Sequence, residues 1–446
     1  MNKSYVACIA TLSLVIGYLS YNRISENSGT NIDTIGSSEN DRSSENSRTS
    51  KSNSRLKASS ANDCIVEDNS AKRRINVMRG DQATGLTLAQ IEELGEKFKN
   101  EEDDGLRKEL LEQLIAGMTA ENALDIRKYI AHMSDRSYEW REFHKAYGAV
   151  AGQVAVRHGE ETKGRDVELA LVGWVSADPD KAMEWYRALD EKSKKSMFSQ
   201  EGLSMAVLEG LAENDPKVAT EFMVSLNTKG GNSWRASKIV SEKIWKQAVE
   251  SGNVEDAMKW TEELPSEDLK KSSQALMAGK YAKLDPLEAA SWVEGITQQD
   301  GSNDYAVGMV VENWRKTDPA AAVNWLTTFE DNKSKLGGAY YRAFNTWADQ
   351  DPNAATQYLD SMNDSKSKDY AIYGLSRTLS DKEPEQAMTL ASSIQDSDIR
   401  IRSIVSNSRT VFKDNPEGLQ TWLTNSSLSS KDREKVLKYH KKKRKR

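Results

Sequence analysis

The chain carries four histidines, His132, His144, His158 and His440. No two stand at the i, i+4 spacing by which paired imidazoles on a helix hold a catalytic zinc. His144 and His158 are about four helical turns apart, so they can share a face without sharing a metal. The two cysteines, Cys8 in an apolar stretch and Cys64 in a polar one, are too few for a thiolate zinc site, and they do not fix a redox compartment. There is no Walker loop, no G-x-G-x-x-G and no G-x-S-x-G elbow. Gly230-Gly231 and Gly337-Gly338 are isolated pairs near expected inter-helix turns. What remains is acid–base chemistry between paired carboxylates, as in glycosidases built on helical barrels. Asp178, Asp215, Asp285, Asp318 and Asp351 recur along the chain, while Glu101-Glu102-Asp103-Asp104 reads as a solvated turn.

The recurring aspartates belong to elements whose job is architectural. In Asp318-Pro319-Ala320-Ala321-Ala322-Val323-Asn324-Trp325, Asp suits a helix N-cap because its carboxylate accepts unpaired N–H groups of the first turn. Pro suits the next position, where its missing N–H costs nothing. Ala322, Trp325, Leu326 and Phe329 then share one helical face. The small Ala at +4 lets a neighbour approach, and the aromatic at +7 is expected to fill the gap beyond it. Versions start at 178, 215, 253, 285, 318, 351, 383 and 415. The copy at Asn253 lacks the proline, and seven of the eight prolines in the chain belong to this motif. A large residue often stands four before the cap, as Trp174, Tyr281, Trp314 and Trp347 do. Two helices per period of 32–38 residues specify an all-α fold, an α-solenoid of about eight helical hairpins. The acids are then caps and not catalysts. Nine of the eleven tryptophans fall in this frame and read as core; Trp140 and Trp234 fall outside it and are the better candidates for an exposed ligand contact.

Along the chain, residues 1–24 hold Lys3 and an apolar run from Tyr5 to Tyr21. That pattern predicts an export signal. About 25 Å of helix is marginal for a bilayer core, so the segment reads as an uncleaved anchor or, alternatively, as a cleaved signal peptide. Serine supplies 12 of residues 25–60, which predicts a disordered linker over 25–80 with a reach of about 40 Å. Residues 81–160 are expected to be an N-terminal helical capping region. In it Thr87 caps a helix bearing Ile91, Leu94 and Phe98, and Leu106, Leu110, Leu111 and Leu114 mark a second helix. Thr119–Ile126 forms a degenerate ninth motif, and one helix covers 138–156. The repeat domain spans 161–428. Residues 429–446 begin as a short amphipathic helix and end in Lys441, Lys442, Lys443, Arg444, Lys445 and Arg446.

Net charge is −6, but that six-residue tail alone carries +6. Residues 81–440 are therefore near −15, which argues against the basic surface that nucleic-acid binding needs. The tail itself could hold an anionic lipid or polymer, at about 1 kcal/mol per charge near a surface.

The motif resembles the junction of tetratricopeptide repeats, where a helix begins D-P-x-x-A-x-x-W; the likeness covers 161–428. It also looks like the DPxxAxxW helical repeats of uncharacterised exported bacterial proteins. The chain departs from the first pattern in three ways. Its period is mostly 32–33, Leu326-Thr327-Thr328 replaces the expected Leu-Gly-x-x-Tyr, and bulky Tyr340 and Trp347 stand where alanines are usual. Either resemblance implies binding of protein or peptide on a curved helical surface, and no binding residue is carried over. The expected function is a non-enzymatic protein-interaction scaffold of the cell envelope, with no catalytic, metal or cofactor residue. The alternatives are an enzyme acting on cell-wall polymer and an anionic-surface tether.

Overall fold

A computed structural model describes residues 85–162, 166–190, 200–300, 303–329 and 336–442. The expected anchor, the serine-rich linker and residues 443–446 lie outside the described residues. Among the described residues no helix is long and apolar enough to cross a membrane.

The described residues form twenty-two α-helices and no strand. Five precede the repeats: α1 Leu88–Asn100, α2 Asp104–Ala116, α3 Ala123–Ile130, α4 Tyr138–Ala151 and α5 Gln153–Thr162. Sixteen then alternate. The first helices of the pairs are α6 Asp166–Ala177, α8 Gln200–Asn214, α10 Gly231–Glu250, α12 Glu267–Leu284, α14 Asp304–Trp314, α16 Gly337–Gln350, α18 Lys366–Leu379 and α20 Ser397–Val411. The motif helices are α7 Pro179–Ala188, α9 Pro216–Ser225, α11 Val254–Glu262, α13 Pro286–Asp300, α15 Pro319–Thr327, α17 Pro352–Ser361, α19 Pro384–Ser393 and α21 Pro416–Asn425; α22 Ser430–Lys442 follows. Every motif copy opens a helix at its predicted position.

One residue, the motif aspartate, makes the hairpin in several pairs. The Asp351 N–H donates to the Trp347 carbonyl at 2.7 Å, closing α16, while its Oδ1 accepts from the Ala354 N–H at 2.9 Å, opening α17. Its φ of −146° and ψ of 88° are extended, as a residue before proline must be. Asp178 and Asp318 repeat this, each donating to the tryptophan carbonyl four residues back. At Asp178, Asp215, Asp285 and Asp351 two helices therefore meet with a single non-helical residue between them, whereas four residues separate α14 from α15. The copy without proline ends its first helix differently. Gly252 takes φ +70°, its N–H donates to Val249 O, and the Asn253 N–H donates to Ala248 O. This is a Schellman stop, for which the left-handed region favours glycine. Asp351→Ala removes an N-cap acceptor while leaving the backbone closure, so it should lower stability by about 1 kcal/mol, measured as a shift in urea midpoint at constant m.

The first helices stack upon one another in sequence from α6 to α20, and α22 packs on α20 as a ninth member. Each motif helix from α7 to α19 packs on its own first helix and on the next one. The motif alanines seat these contacts: Ala182, Ala219, Ala257, Ala289, Ala322, Ala355 and Ala387 are all fully buried. The +8 positions join them, with Met223, Val293, Leu326 and Leu423 buried. The +7 aromatic behaves differently from expectation. Trp325 is buried, but Trp185, Phe222, Trp260, Trp292, Tyr358 and Trp422 are only half-buried. The reason is angular: +4 and +8 share one line on a helix, and +7 lies beside it. From that edge the +7 ring meets the aromatic four before the cap. Trp174–Trp185, Trp314–Trp325 and Trp347–Tyr358 have centroids 5.5, 6.2 and 5.3 Å apart. Trp325 also donates Nε1–H to Glu294 at 2.7 Å, in the preceding motif helix. Trp325→Ala should cost about 3 kcal/mol, the low end for a buried aromatic, read by chemical denaturation.

The N-terminal helices follow the expected signals with two corrections. Thr87 and Gln90 form the capping box, and Ile91 and Phe98 are fully buried with Leu94 half-buried. Ala123 and Ile126 occupy the core positions of the ninth, degenerate motif, and the Ala123 N–H donates to Thr119 O as in the true copies. Leu106, however, is exposed. The helix expected over 138–156 breaks at Gly152, whose φ of +55° separates α4 from α5. A Cβ there would stand 3.2 Å from the Trp174 indole nitrogen.

Candidate functional site

The titratable group moved furthest from its ordinary state is one that sequence reasoning missed. Asp166 opens α6, the most apolar helix of the repeats, and is 2 % exposed. Its Oδ1 accepts from Trp140 Nε1 at 3.0 Å and its Oδ2 from Thr162 Oγ1 at 2.7 Å. Arg127 Nη2 and His144 Nε2 each stand 3.4 Å from Oδ2, ion-pair distances too long for strong hydrogen bonds. The Arg127 guanidinium also lies 5.1 Å over the Trp140 ring. Burial alone would raise the Asp166 pKa. The His144 contact and charge and the Thr162 and Trp140 hydrogen bonds outweigh it and hold the carboxyl well below the usual range. His144 is 1 % exposed, and its Nδ1 donates to the Trp140 carbonyl at 2.8 Å. Nε2 therefore faces the carboxylate. His158 joins the cluster edge-on to Tyr147 at 5.9 Å, its pKa lowered by burial and by Arg127.

Four helices, α3 to α6, thus converge on one carboxylate. A buried acid with a histidine beside it is a candidate for chemistry, but both side chains are shut off from solvent. The cluster reads as an electrostatic joint between the N-terminal helices and the repeats. Trp140, a candidate for an exposed ligand contact, is buried as a wall of it. The sequence signal was available: an acid three residues before the run Leu169-Ala170-Leu171-Val172-Gly173-Trp174 shares a helical face with Ala170 and Gly173.

The remaining candidates separate plainly. His132 is exposed and alone, and His440 Nδ1 lies 3.2 Å from Ser408 Oγ. The structure does not gather the histidines beyond the 144/158 pair. Among the described residues no three metal-ligating side chains cluster. Asp103 caps α2 in the solvated turn as expected. Gly230 donates its N–H to Asp268, an acid placed where a phosphate would have to sit, and Gly337 lies under the Tyr370 ring. Trp234 is half-buried beside Tyr305, which is 73 % exposed. Lys441 and Lys442 end α22; Lys443, Arg444, Lys445 and Arg446 lie outside the described residues.

Charge is sorted between the helix classes. The eight motif helices with their cap residues carry eighteen acids and four bases, whereas the eight first helices carry fourteen acids and fifteen bases. The acidity of the body thus belongs to the row of motif helices. That row also contains a cleft of about 430 Å³ between α7 and α9. Its apolar wall is Pro179, Met183, Leu211, Val218 and Phe222. Tyr186 of α7 meets Phe222 of α9 edge-on at 6.1 Å. Asp180, Asp215 and Glu221 stand at the cleft with Arg187 as the single base. Val218 is 45 % exposed, so an apolar surface is open to a ligand between carboxylates. The chain matches no family model, no curated protein and no solved structure.

Proposed function

We propose that the protein is a non-enzymatic interaction scaffold that holds basic polypeptide segments along its row of motif helices. The observation that carries this reading is the sorting of charge: a net −14 on one helix class and near neutrality on the other. Caps need only one acid per helix, and several motif helices carry more, as α11 does with exposed Glu255, Asp256 and Glu262 behind its cap Asn253. The excess serves a partner instead of the fold. The α7/α9 cleft adds an apolar seat, which lets a segment with one large side chain among lysines or arginines bind in a fixed register. A site of that volume accommodates an aromatic side chain. The deep burial of Asp166 and His144 supports a non-catalytic reading. The apolar run from Tyr5 to Tyr21 supports a place at the cell envelope, with the body presented to partners there.

The test is a titration of the full-length protein, in a non-ionic detergent, with a labelled peptide of lysines around a central tryptophan. Binding should weaken as salt rises. Val218→Lys places a cation at the exposed edge of the cleft and should weaken it about tenfold, with Tm unchanged. An acidic peptide of the same length should not bind. Equal binding of both peptides, or indifference to Val218→Lys, would defeat the reading.

A further inference from the structure

We infer that one copy of this chain docks on another, the Tyr439 side chain and basic tail of one seated in the α7/α9 cleft of the next. The inference rests on the proposed function and names the basic segment. Two observations select it. First, the chain supplies the complement of its own cleft. Tyr439 of α22 is 49 % exposed, and Lys441, Lys442, Lys443, Arg444, Lys445 and Arg446 follow it within seven residues. That is a large aromatic with cations on one side, matching a cleft with an apolar wall and acids Asp180, Asp215 and Glu221 at its rim. In α22 the buried contact with α20 is made by Val436, which is fully buried. Tyr439 is left free for a partner.

Second, the tail and the cleft stand at opposite ends of one chain's stack. The first helices stack in order from α8, beside the cleft, to α22. Seven steps at about 9 Å each make a path of about 60 Å along the stack. Residues 441–446 reach about 20 Å when fully extended. The contact is between copies, and it joins unlike surfaces. Such heterologous contacts propagate unless geometry closes them into a ring.

Sedimentation of the full-length protein in non-ionic detergent tests this. At about 50 mM salt it should show concentration-dependent species larger than the monomer, returning to monomer near about 500 mM as the charges are screened. Val218→Lys blocks the cleft and leaves the tail. The double change Lys441→Glu with Lys442→Glu blocks the tail and leaves the cleft. Each alone should be monomeric. Mixed, they should form a one-to-one pair and nothing longer, because one good tail meets one good cleft. A synthetic peptide of residues 430–446 should dissolve the wild-type assemblies, and the same peptide with Tyr439→Ala should do so at least about fivefold less well. The inference is overturned by a monomer at both salts, by association that survives both variants, by a mixture that stays monomeric, or by a tail that binds vesicles of anionic lipid while the chain stays monomeric. If the unrelated lysine–tryptophan peptide still binds the cleft in any of those cases, the scaffold reading stands and only self-docking falls. If no basic peptide binds, both fall.

Discussion

Replacing Gly173 with alanine should destabilise the protein by more than about 3 kcal/mol, beyond the usual range for overpacking. Gly173 lies in α6, where a Cβ would sit 1.8 Å from the backbone oxygen of Lys145 in α4. Gly148 in α4 returns the contact, its Cβ position being 1.8 Å from the oxygen of Ala170. The two helices touch main chain to main chain at this crossing. A backbone oxygen cannot rotate aside as a side chain can, so relief requires the helices to separate. Separation would also loosen the neighbouring seam. Lys145 pairs with Glu209 at 2.7 Å and Glu213 at 3.4 Å, both in α8. Those carboxylates overcome burial and keep the Lys145 pKa raised. The measurement is urea denaturation of Gly173→Ala beside Gly230→Ala. The second site has open space around it but a φ of +58°, so its smaller loss reports backbone strain alone. Comparable losses at both sites would refute the close-approach account.

The second large effect belongs to Asp166. Asp166→Ala should cost about 3–5 kcal/mol, because it leaves the Arg127 guanidinium, the Trp140 indole N–H and the Thr162 hydroxyl without the carboxylate they share. The loss should be local. Hydrogen exchange should quicken in α3 to α6 while α16 to α20 keep their protection, since stacked repeats contact only their neighbours. The same carboxylate sets the acid limb of stability. Its pKa is depressed in the folded state, so the folded protein binds fewer protons than the unfolded chain. The contribution is complete above the ordinary carboxylate range and is lost as pH falls below about 4. Asp166→Asn should therefore be less stable than wild type at pH 7, with the difference shrinking as pH is lowered towards 2. A constant difference from pH 7 to pH 2 would show that Asp166 does not carry the acid limb.

The repeats were legible because their determinants are local. Asp351 accepts a hydrogen bond from the third residue after it, and Pro352 constrains the residue before it. An eight-residue window therefore contains the cause of each hairpin, and a repeated window contains the fold. Even the exceptional copy was local, since Gly252 stands where proline's stop was missing. The fate of the +7 aromatics was only half legible. Spacing places Trp185 and Trp260 on the inner side of a helix, but how far the next pair covers them depends on the tilt between elements some thirty residues apart.

By itself, then, the sequence determined the helix starts, the pairing of helices and the all-α class, through caps and periodicities that act over a few residues. Tertiary structure alone decided the rest. It brought Arg127, Trp140, His144, Thr162 and Asp166 from four helices to one carboxylate. It pressed Gly148 and Gly173 together at a backbone contact. It wedged the motif helices α7 to α19 between successive first helices, and it opened an apolar cleft rimmed by acids between α7 and α9. Charge and apolar surface act on a partner through space, and which residues share that space is fixed by stacking, a relation no single repeat contains.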